Sequence, residues 1–151
     1  MSVSIHLLTQ FPPIGFSAMR AEAEAEEEPQ LEALSAAWQD RTQRFQLDGE
    51  ALFAALLHDR LAGLGALAQD PALPPEEVLR VQRLYVRPDC RRHGVGRALL
   101  RRLVQHGLRH APTLIVDAPQ PAAHAFFDAC GFTALDDPGV THRLLRDEDR
   151  E

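Results

Sequence analysis

The sequence predicts a single-domain α/β fold of the α+β type over residues 1–151. Strand-like and helix-like segments follow one another in the order β-α-α-β-β-β-α-β-α-β-β. The length of 151 residues suits one domain with one sizeable core. A content of 45% hydrophobic and 25% charged residues is ordinary for a globular protein. Together these observations predict a folded domain and argue against disorder.

The chain begins with a predicted strand and a predicted helix. Val3, Ile5 and Leu7 alternate with polar residues, which is the period of a half-buried strand. Between Phe16 and Glu28, alanine and glutamate alternate, and both are poor in strands and strong in helices, so we predict a helix there. We interpret its acidic run, residues 24–28, as a solvated face.

A second helix and a hairpin follow. Pro29 suits the first turn of a helix, in which apolar residues recur at helical spacing: Leu31, Leu34, Trp38 and Phe45. Residues 51–57 and 61–68 are two apolar runs separated by His58-Asp59-Arg60, which is the length of a hairpin turn. We expect these two runs to pair as antiparallel strands.

The segment from residue 78 to residue 107 combines a strand, a turn and a helix. A β-branched and aromatic run reaches Val86 and is stopped by Pro88, which lacks a ladder donor. The turn Arg91-Arg92-His93-Gly94-Val95-Gly96 follows. Its glycines let backbone N–H groups approach an anion where a helix begins with unpaired donors. Arginines of the turn can reinforce such a site, so we predict that it binds a phosphate-bearing ligand.

The helix after this turn is amphipathic. One half of its wheel is apolar, and arginines occupy the other half: Arg97, Arg101, Arg102 and Arg109. We therefore expect it to lie on a sheet with its arginines in water. A strand at 114–116, a helix at about 121–129 and strands near 132–135 and 140–145 complete the predicted order.

Two motifs resemble the GNAT N-acetyltransferase superfamily. Arg91-x-x-Gly94-x-Gly96, between the strand segment Arg83-Leu84-Tyr85-Val86 and an apolar helix, resembles the acetyl-CoA-binding motif of that family. The later segment from Ala123 to Phe132, AHAFFDACGF, is similar to the family's Ala-x-x-Phe-Tyr helix that runs into Gly-Phe. The motifs cover about fifty residues in the order that the family shows.

The resemblance implies a fold and a co-substrate. It implies a mixed, mostly antiparallel sheet of about seven strands with helices on both faces, and two parallel strands that splay to admit the pantetheine arm of acetyl-CoA. The acetyl-CoA-binding core would span about 78–132, and the acceptor would bind near helices at about 14–45. The implied acetyl-CoA-binding residues are Leu84, Tyr85, Val86, Arg91, Arg92, His93, Gly94, Val95, Gly96, Arg97, Gln120 and Phe127.

The catalytic residues are less closely determined, because the sequence departs from the family pattern. Gln120 stands where the family often has Asn, and Phe127 stands where it often has a tyrosine that protonates the thiolate. The central strand lacks the family's frequent glutamate base between Val81 and Val86. Candidates for the acceptor pocket are Trp38, Phe45, Glu50, Tyr85 and His142, and the catalytic candidates among them are Glu50, His142 and Tyr85. Trp38 fits a core position as well, Glu50 fits a solvated strand end, and His142 could face either solvent or the cleft.

Other classes of protein fit the sequence less well. A P-loop requires Gly-Lys-Ser/Thr, and the chain has no lysine; a Rossmann fingerprint requires a third glycine where Leu99 stands. The arginines between Arg80 and Arg109 could attract nucleic acid, but the net charge is −6 and no nucleic-acid-binding motif accompanies them. We identify no metal site, and Cys90 and Cys130 make no disulfide framework. Without a signal peptide or a long apolar segment we expect a cytoplasmic location and no membrane partner; a homodimer is left open.

Two functions, from different classes of protein, fit the sequence. The first is an N-acetyltransferase that moves an acetyl group from acetyl-CoA to a primary amine of a small molecule or peptide, directly within a ternary complex. The alternative is a module with the same fold that binds acyl-CoA without catalysis. The missing tyrosine and glutamate keep this alternative open.

Overall fold

A computed structural model describes residues 2–149 and shows the predicted order of elements. The strands are β1 (Val3–Leu7), β2 (Ala51–Leu57), β3 (Arg60–Ala68), β4 (Val78–Val86), β5 (Thr113–Val116), β6 (Thr133–Asp137) and β7 (Val140–Leu145). The helices are α1 (Phe16–Ala25), α2 (Gln30–Gln39), α3 (Val95–Gly107) and α4 (Pro121–Ala129). Short 3-10 turns lie at Pro88–Cys90 and Asp147–Asp149.

The strands form one seven-stranded sheet in the order β1-β2-β3-β4-β5-β7-β6. Neighbouring strands are antiparallel except β4 and β5, which are parallel from Val78↔Thr113 to Val81↔Val116. After that pair β5 ends while β4 continues to Val86. The two strands therefore separate at their carboxyl ends. The predicted fold class, a mixed and mostly antiparallel sheet, is confirmed.

Helices cover both faces of the sheet, as predicted. On one face, α1 and α2 bury Met19, Leu31 and Leu34 against β2, β3 and Tyr85 of β4. On the other face, α3 and α4 bury a second apolar cluster that includes Leu99, Leu103, Leu114 and Phe127. The arginine half of α3 faces outward, except that the Arg102 guanidinium lies 4.9 Å from the ring centroid of Phe53.

Several boundaries differ from the sequence prediction for local reasons. The first helix ends at Ala25 rather than Glu28, and Glu27 has a left-handed φ of 59° that a helix does not allow. The second helix ends at Gln39, so Phe45 lies in a loop, although its side chain is buried. In the hairpin, Leu57 pairs with Arg60, and the turn is only His58-Asp59, with φ values of 51° and 63°. Positive φ at both central residues is typical of a two-residue hairpin turn.

A β-bulge interrupts β4 close to its end. Leu64 pairs with Tyr85 and Ala66 pairs with Gln82, so two residues of β4, Arg83 and Leu84, lie opposite Gly65. Arg83 has a left-handed φ of 59°. A bulge bends its strand and changes the direction of the side chains that follow. This bulge therefore sets how the last residues of β4 face the gap beside β5.

Within residues 2–149, no helix combines the length and the apolar character that crossing a membrane requires.

Candidate active site

A cleft of about 1340 Å³ opens where β4 and β5 separate. Its walls are residues 80–86 of β4, the turn after β4, residues 116–120 after β5, and the α1–α2 junction. Phe126 and Phe127 of α4 close one side. The structure brings nearly all the predicted acetyl-CoA-binding residues to this cleft; those that line it are Leu84, Tyr85, Val86, Arg91, Arg92, Gly94, Val95, Gly96, Arg97, Gln120 and Phe127. His93 is not among its lining residues.

The turn before α3 presents free backbone donors to the cleft. Gly94 is the N-cap residue with a left-handed φ of 80°, and no side chain caps the helix there. The first helical hydrogen bond is donated by Ala98 N–H to Gly94 O, at 3.0 Å. The N–H groups of the first turn consequently have no intrahelical acceptor, which is the property of an anion site.

Gly96 is not required by the packing of the protein itself. A Cβ atom at this position would lie 3.5 Å from Val86 Cγ2 and 3.6 Å from the Phe126 ring, which are ordinary van der Waals distances. The fold therefore has room for a side chain at residue 96. A ligand that approaches the backbone closely would explain why this position is glycine.

The Arg91 side chain, 46% exposed, is committed to partners within the protein. Its Nη1 and Nη2 donate to the two carboxylate oxygens of Glu26, at 2.8 and 2.7 Å, and its Nε donates to Val86 O at 3.1 Å. The sequence predicted that arginines of the turn reinforce the anion site. The Arg91 guanidinium ties the turn to Glu26 at the end of α1, whereas Arg92 and Arg97 are exposed cations of the same segment.

Tyr85 and Glu26 form the polar centre of the cleft wall. The Tyr85 hydroxyl, on a buried side chain, donates to Glu26 Oε1 at 2.6 Å. Burial, and then the hydrogen bond to Glu26, raise the pKa of Tyr85 well above its usual value near 10. Hydrogen bonds from Arg91 and then from Tyr85 lower the pKa of Glu26, so this carboxylate is ionised at neutral pH.

Sequence reasoning did not identify Glu26 as a site residue. Its run of acids was interpreted as a solvated face, and Glu26 and Glu27 are indeed exposed, but Glu26, Glu27 and Glu28 also line the cleft. The chain does contain one signal: the acids coincide with the junction between two helices, where the helical pattern changes. That signal does not reveal that Glu26 binds Tyr85, because Tyr85 lies 59 residues away in the chain.

Replacing Glu26 should change the ionisation of Tyr85 measurably. Tyr85 is the single tyrosine of the chain, so the ultraviolet absorbance of tyrosinate reports this residue alone. We expect native Tyr85 to ionise above the pKa of free tyrosine. In Glu26→Gln the pKa should fall but stay above the free value, because burial is the larger cause of the shift. An unchanged pKa in Glu26→Gln, over the pH range in which circular dichroism shows a native fold, would contradict this hydrogen bond.

A second arginine fixes α1 on the sheet. Arg87, which is only 7% exposed, donates from Nε and Nη2 to the two oxygens of Glu22, at 2.7 and 2.9 Å. Its Nη1 donates to Leu61 O at 3.1 Å. The hydrogen bond to Arg87 lowers the pKa of Glu22. Because Glu22 and Glu26 lie one helical turn apart, the Arg87–Glu22 pair holds the end of α1 that leads into the cleft wall at Glu26.

The structure places Glu50 and His142 outside the lining of the cleft. The buried Glu50 carboxylate accepts hydrogen bonds from Leu47 N–H at 3.2 Å, from Gln69 N–H at 2.9 Å and from the Gln43 side chain at 3.2 Å. This carboxylate joins the loop before β2 to the end of β3. His142 is 1% exposed, and its ring nitrogens lie 3.0 Å from Thr141 Oγ1 and 3.0 Å from Asp128 Oδ1.

The remaining acceptor candidates, Trp38 and Phe45, are buried in the cluster under α1 and α2, and neither lines the cleft. Trp38 stacks on Phe11 with 5.2 Å between ring centroids. Cys90 lines the cleft, and burial raises the pKa of its thiol. Within residues 2–149, no group of three or more His, Cys, Asp or Glu side chains is placed to hold a metal ion.

An open seven-stranded sheet with a cleft where its one parallel pair separates is the architecture of an acetyltransferase of the GNAT class. The sequence profile of the Acetyltransferase (GNAT) family matches residues 16–132. The chain therefore belongs to this family, as the sequence motifs predicted.

Solved structures agree with this assignment. A protein from Exiguobacterium sp. 255-15, described as an acetyltransferase, is 25% identical over 99% of this chain and 100% of its own, with a TM-score of 0.87. A GNAT family acetyltransferase from Elizabethkingia anophelis, solved with acetyl-CoA bound, is 13% identical over 95% and 98% of the two chains, with a TM-score of 0.67. At that identity the second likeness shows the fold alone. No curated protein matches the chain significantly in sequence.

Proposed function

We propose that this protein is an acetyl-CoA-dependent N-acetyltransferase whose acceptor is a primary amine. One observation carries the proposal. The end of β4 has no strand partner on its β5 side, and it lines the same cleft as the uncapped N-terminus of α3. That arrangement offers a long wall of strand beside an anion site. The related Elizabethkingia structure, solved with acetyl-CoA bound, supports the choice of co-substrate.

The residues of the cleft fit acetyl-CoA. The N–H groups of residues 95–97 would bind the pyrophosphate, and Gly96 would allow its close approach. The end of β4, from Leu84 to Val86, would lie along the pantetheine arm. When bound, acetyl-CoA supplies a thioester carbonyl that an amine can attack.

The acceptor side of the cleft is acidic. Glu26, Glu27 and Glu28 lie at the α1–α2 junction, and the neighbouring Tyr85 hydroxyl is fixed by Glu26. An amine with a pKa of about 10.4 arrives as a cation at neutral pH. Carboxylates at the entrance attract such a cation, so we assign this junction to acceptor binding.

Direct attack by the amine is the chemistry that the cleft supports best. A covalent route would need an activated cysteine, but burial raises the pKa of Cys90 and of Cys130, which keeps both thiols protonated at neutral pH. The amine must lose a proton before it attacks. We propose that water in the cleft removes this proton, because the hydrogen bonds of Glu50 and His142 are directed elsewhere.

The pH dependence of the reaction should follow from these groups. We expect kcat/KM to rise with pH as the acceptor amine loses its proton. The departing thiolate, with a pKa of about 8.5, can leave without a general acid. Tyr85 is the tyrosine that lines the cleft, and because its pKa is raised it stays protonated over the pH range of the assay. We therefore expect no falling limb below about pH 9. A bell-shaped profile whose falling limb disappears in Tyr85→Phe would contradict this expectation.

The alternative is a protein that binds acyl-CoA without catalysis. The specific observation in its favour is that Phe127 lines the cleft without a hydroxyl, while the Tyr85 hydroxyl is committed to Glu26. Calorimetry with acetyl-CoA, followed by an assay of thiol release with a panel of amines, separates the two functions. Binding with amine-dependent thiol release supports the transferase. Binding without release for every amine supports the alternative.

A further inference from the structure

Three arginines follow one another along β4 and just beyond it, and two of them bind carboxylates in the same way. Arg80 donates from Nε and Nη2 to Asp70 Oδ2, at 3.3 and 2.8 Å. Arg87 donates from the same two nitrogens to Glu22, at 2.7 and 2.9 Å. The edge formed by Nε and Nη2 is therefore the carboxylate-binding edge of both side chains.

Arg83, between them, has no anion on that edge. Its one hydrogen bond within residues 2–149 runs from Nη1 to Gln30 O and is long, at 3.4 Å. Its Nε is buried and has no hydrogen-bond partner. Burial also lowers the pKa of Arg83, and no nearby carboxylate offsets this effect. A partly buried guanidinium without a counter-ion is costly, and a bound anion would offset that cost.

Arg83 faces the acceptor side of the cleft. It lines the cleft at the β4 bulge, and its contact is with Gln30 at the start of α2. Tyr85 lies on this same face of the sheet, in the apolar cluster under α1 and α2. The anion-binding turn belongs to the opposite face, where a Cβ on Gly96 would meet Val86 and Phe126. An anion bound by Arg83 would therefore belong to the acceptor rather than to the pyrophosphate.

We propose that Arg83 determines acceptor specificity by binding a carboxylate of the acceptor, so that the substrates are amino-carboxylates of the amino-acid class. This inference rests on the proposed N-acetyltransferase function. The Arg83 guanidinium, which lines the cleft, donates to this carboxylate. The acids at the α1–α2 junction attract the ammonium end of the same molecule.

The test compares L-amino acids with their carboxamides, which keep the amine and lose the negative charge. Wild type should acetylate the acids with a kcat/KM about 10- to 100-fold above that of the amides, the ratio expected for a charge-assisted contact. In Arg83→Gln this preference should fall to about twofold or less, and Arg83→Lys should restore part of it because the charge returns without the fork. Arg41→Gln is the matched control, since Arg41 is an exposed arginine with a left-handed φ of 66° outside the cleft lining.

Several results would overturn the assignment. Equal use of acids and amides by wild type would do so, as would an acid preference that survives in Arg83→Gln. A loss of acetyl-CoA affinity in Arg83→Gln that accounts for its whole defect would place the anion on the co-substrate. Failure of wild type to bind acetyl-CoA would contradict the proposed function instead. In that case calorimetry with N-acetyl-L-amino acids still tests the assignment of Arg83. We expect these carboxylates to bind wild type and not Arg83→Gln. If they do not bind wild type, the assignment is wrong.

Discussion

Gly96→Ala is expected to weaken acetyl-CoA binding by roughly 10- to 100-fold while the protein stays folded. A Cβ atom at residue 96 meets the protein only at ordinary van der Waals distances, so the fold accommodates it. In the first turn of α3 alanine should even stabilise the helix, by up to about 1 kcal/mol relative to glycine. The same atom would fill space beside Val86 and Phe126 in the cleft lining, where the ligand is proposed to approach the backbone N–H groups. Loss of one charge-assisted hydrogen bond, about 1.5–3 kcal/mol, corresponds to the expected change in affinity.

Calorimetric titration with acetyl-CoA and chemical unfolding measure the two effects separately. Gly131→Ala is a useful control, since Gly131 lies outside the cleft lining and a Cβ there would meet nothing within 4 Å. Its φ of 93° makes alanine strained, so this control should lose stability and keep its affinity. Unchanged acetyl-CoA affinity in folded Gly96→Ala would contradict the anion site.

Arg87→Met is expected to lower the free energy of unfolding by about 2–3 kcal/mol, because the substitution removes a forked ion pair and leaves Glu22 and the Leu61 carbonyl without their partner. The Glu22 side chain is 34% exposed, so water screens part of the loss. Fluorescence of Trp38, the single tryptophan, can follow unfolding. Arg60→Met, in the exposed pair with Asp89, is the matched control and should change stability by less than about 0.5 kcal/mol.

The effect of Arg87→Met should also depend on pH. Arg87 lowers the pKa of Glu22 in the folded protein below the unfolded value of about 4.3. The pair therefore contributes its full electrostatic stability above that value and loses it as the pH falls through the folded pKa. The difference in stability between wild type and Arg87→Met should shrink below about pH 4. A difference as large at pH 3 as at pH 7 would show that the ion pair contributes little and that packing of the side chain explains the loss.

Local patterns predicted most of the fold because each element carries its own signal. The apolar face of α3 identifies its buried side, and Val3 and Ile5 of the alternating strand pack against the core, although Leu7 is 54% exposed. Pro88 follows the end of β4, and Gly94 precedes the start of α3. These signals need only neighbouring residues. The paired motifs around Gly96 and Phe127 likewise predicted which segments line the cleft.

The partners of polar side chains could not be predicted in the same way. Glu26 was interpreted as a solvated residue, and its hydrogen bonds to Tyr85 and Arg91 join segments that are distant in the chain. For His142 the alternation allowed either face of β7, and the structure buries it. The left-handed backbone of Arg83 depends on the bulge opposite Gly65, which no local pattern indicated.

The most direct test of the proposed function follows the acetyl group itself. Isotope-labelled acetyl-CoA is mixed with the protein and a panel of amines that includes L-amino acids, and all products are weighed by mass spectrometry. We predict labelled N-acetyl product and free CoA in equal amounts, with no label on Cys90 or Cys130. Label on either cysteine, lost together with turnover in the corresponding Ala variant, would contradict direct transfer. Acetyl-CoA that is bound and recovered intact with every amine would contradict the assignment of this protein as an enzyme.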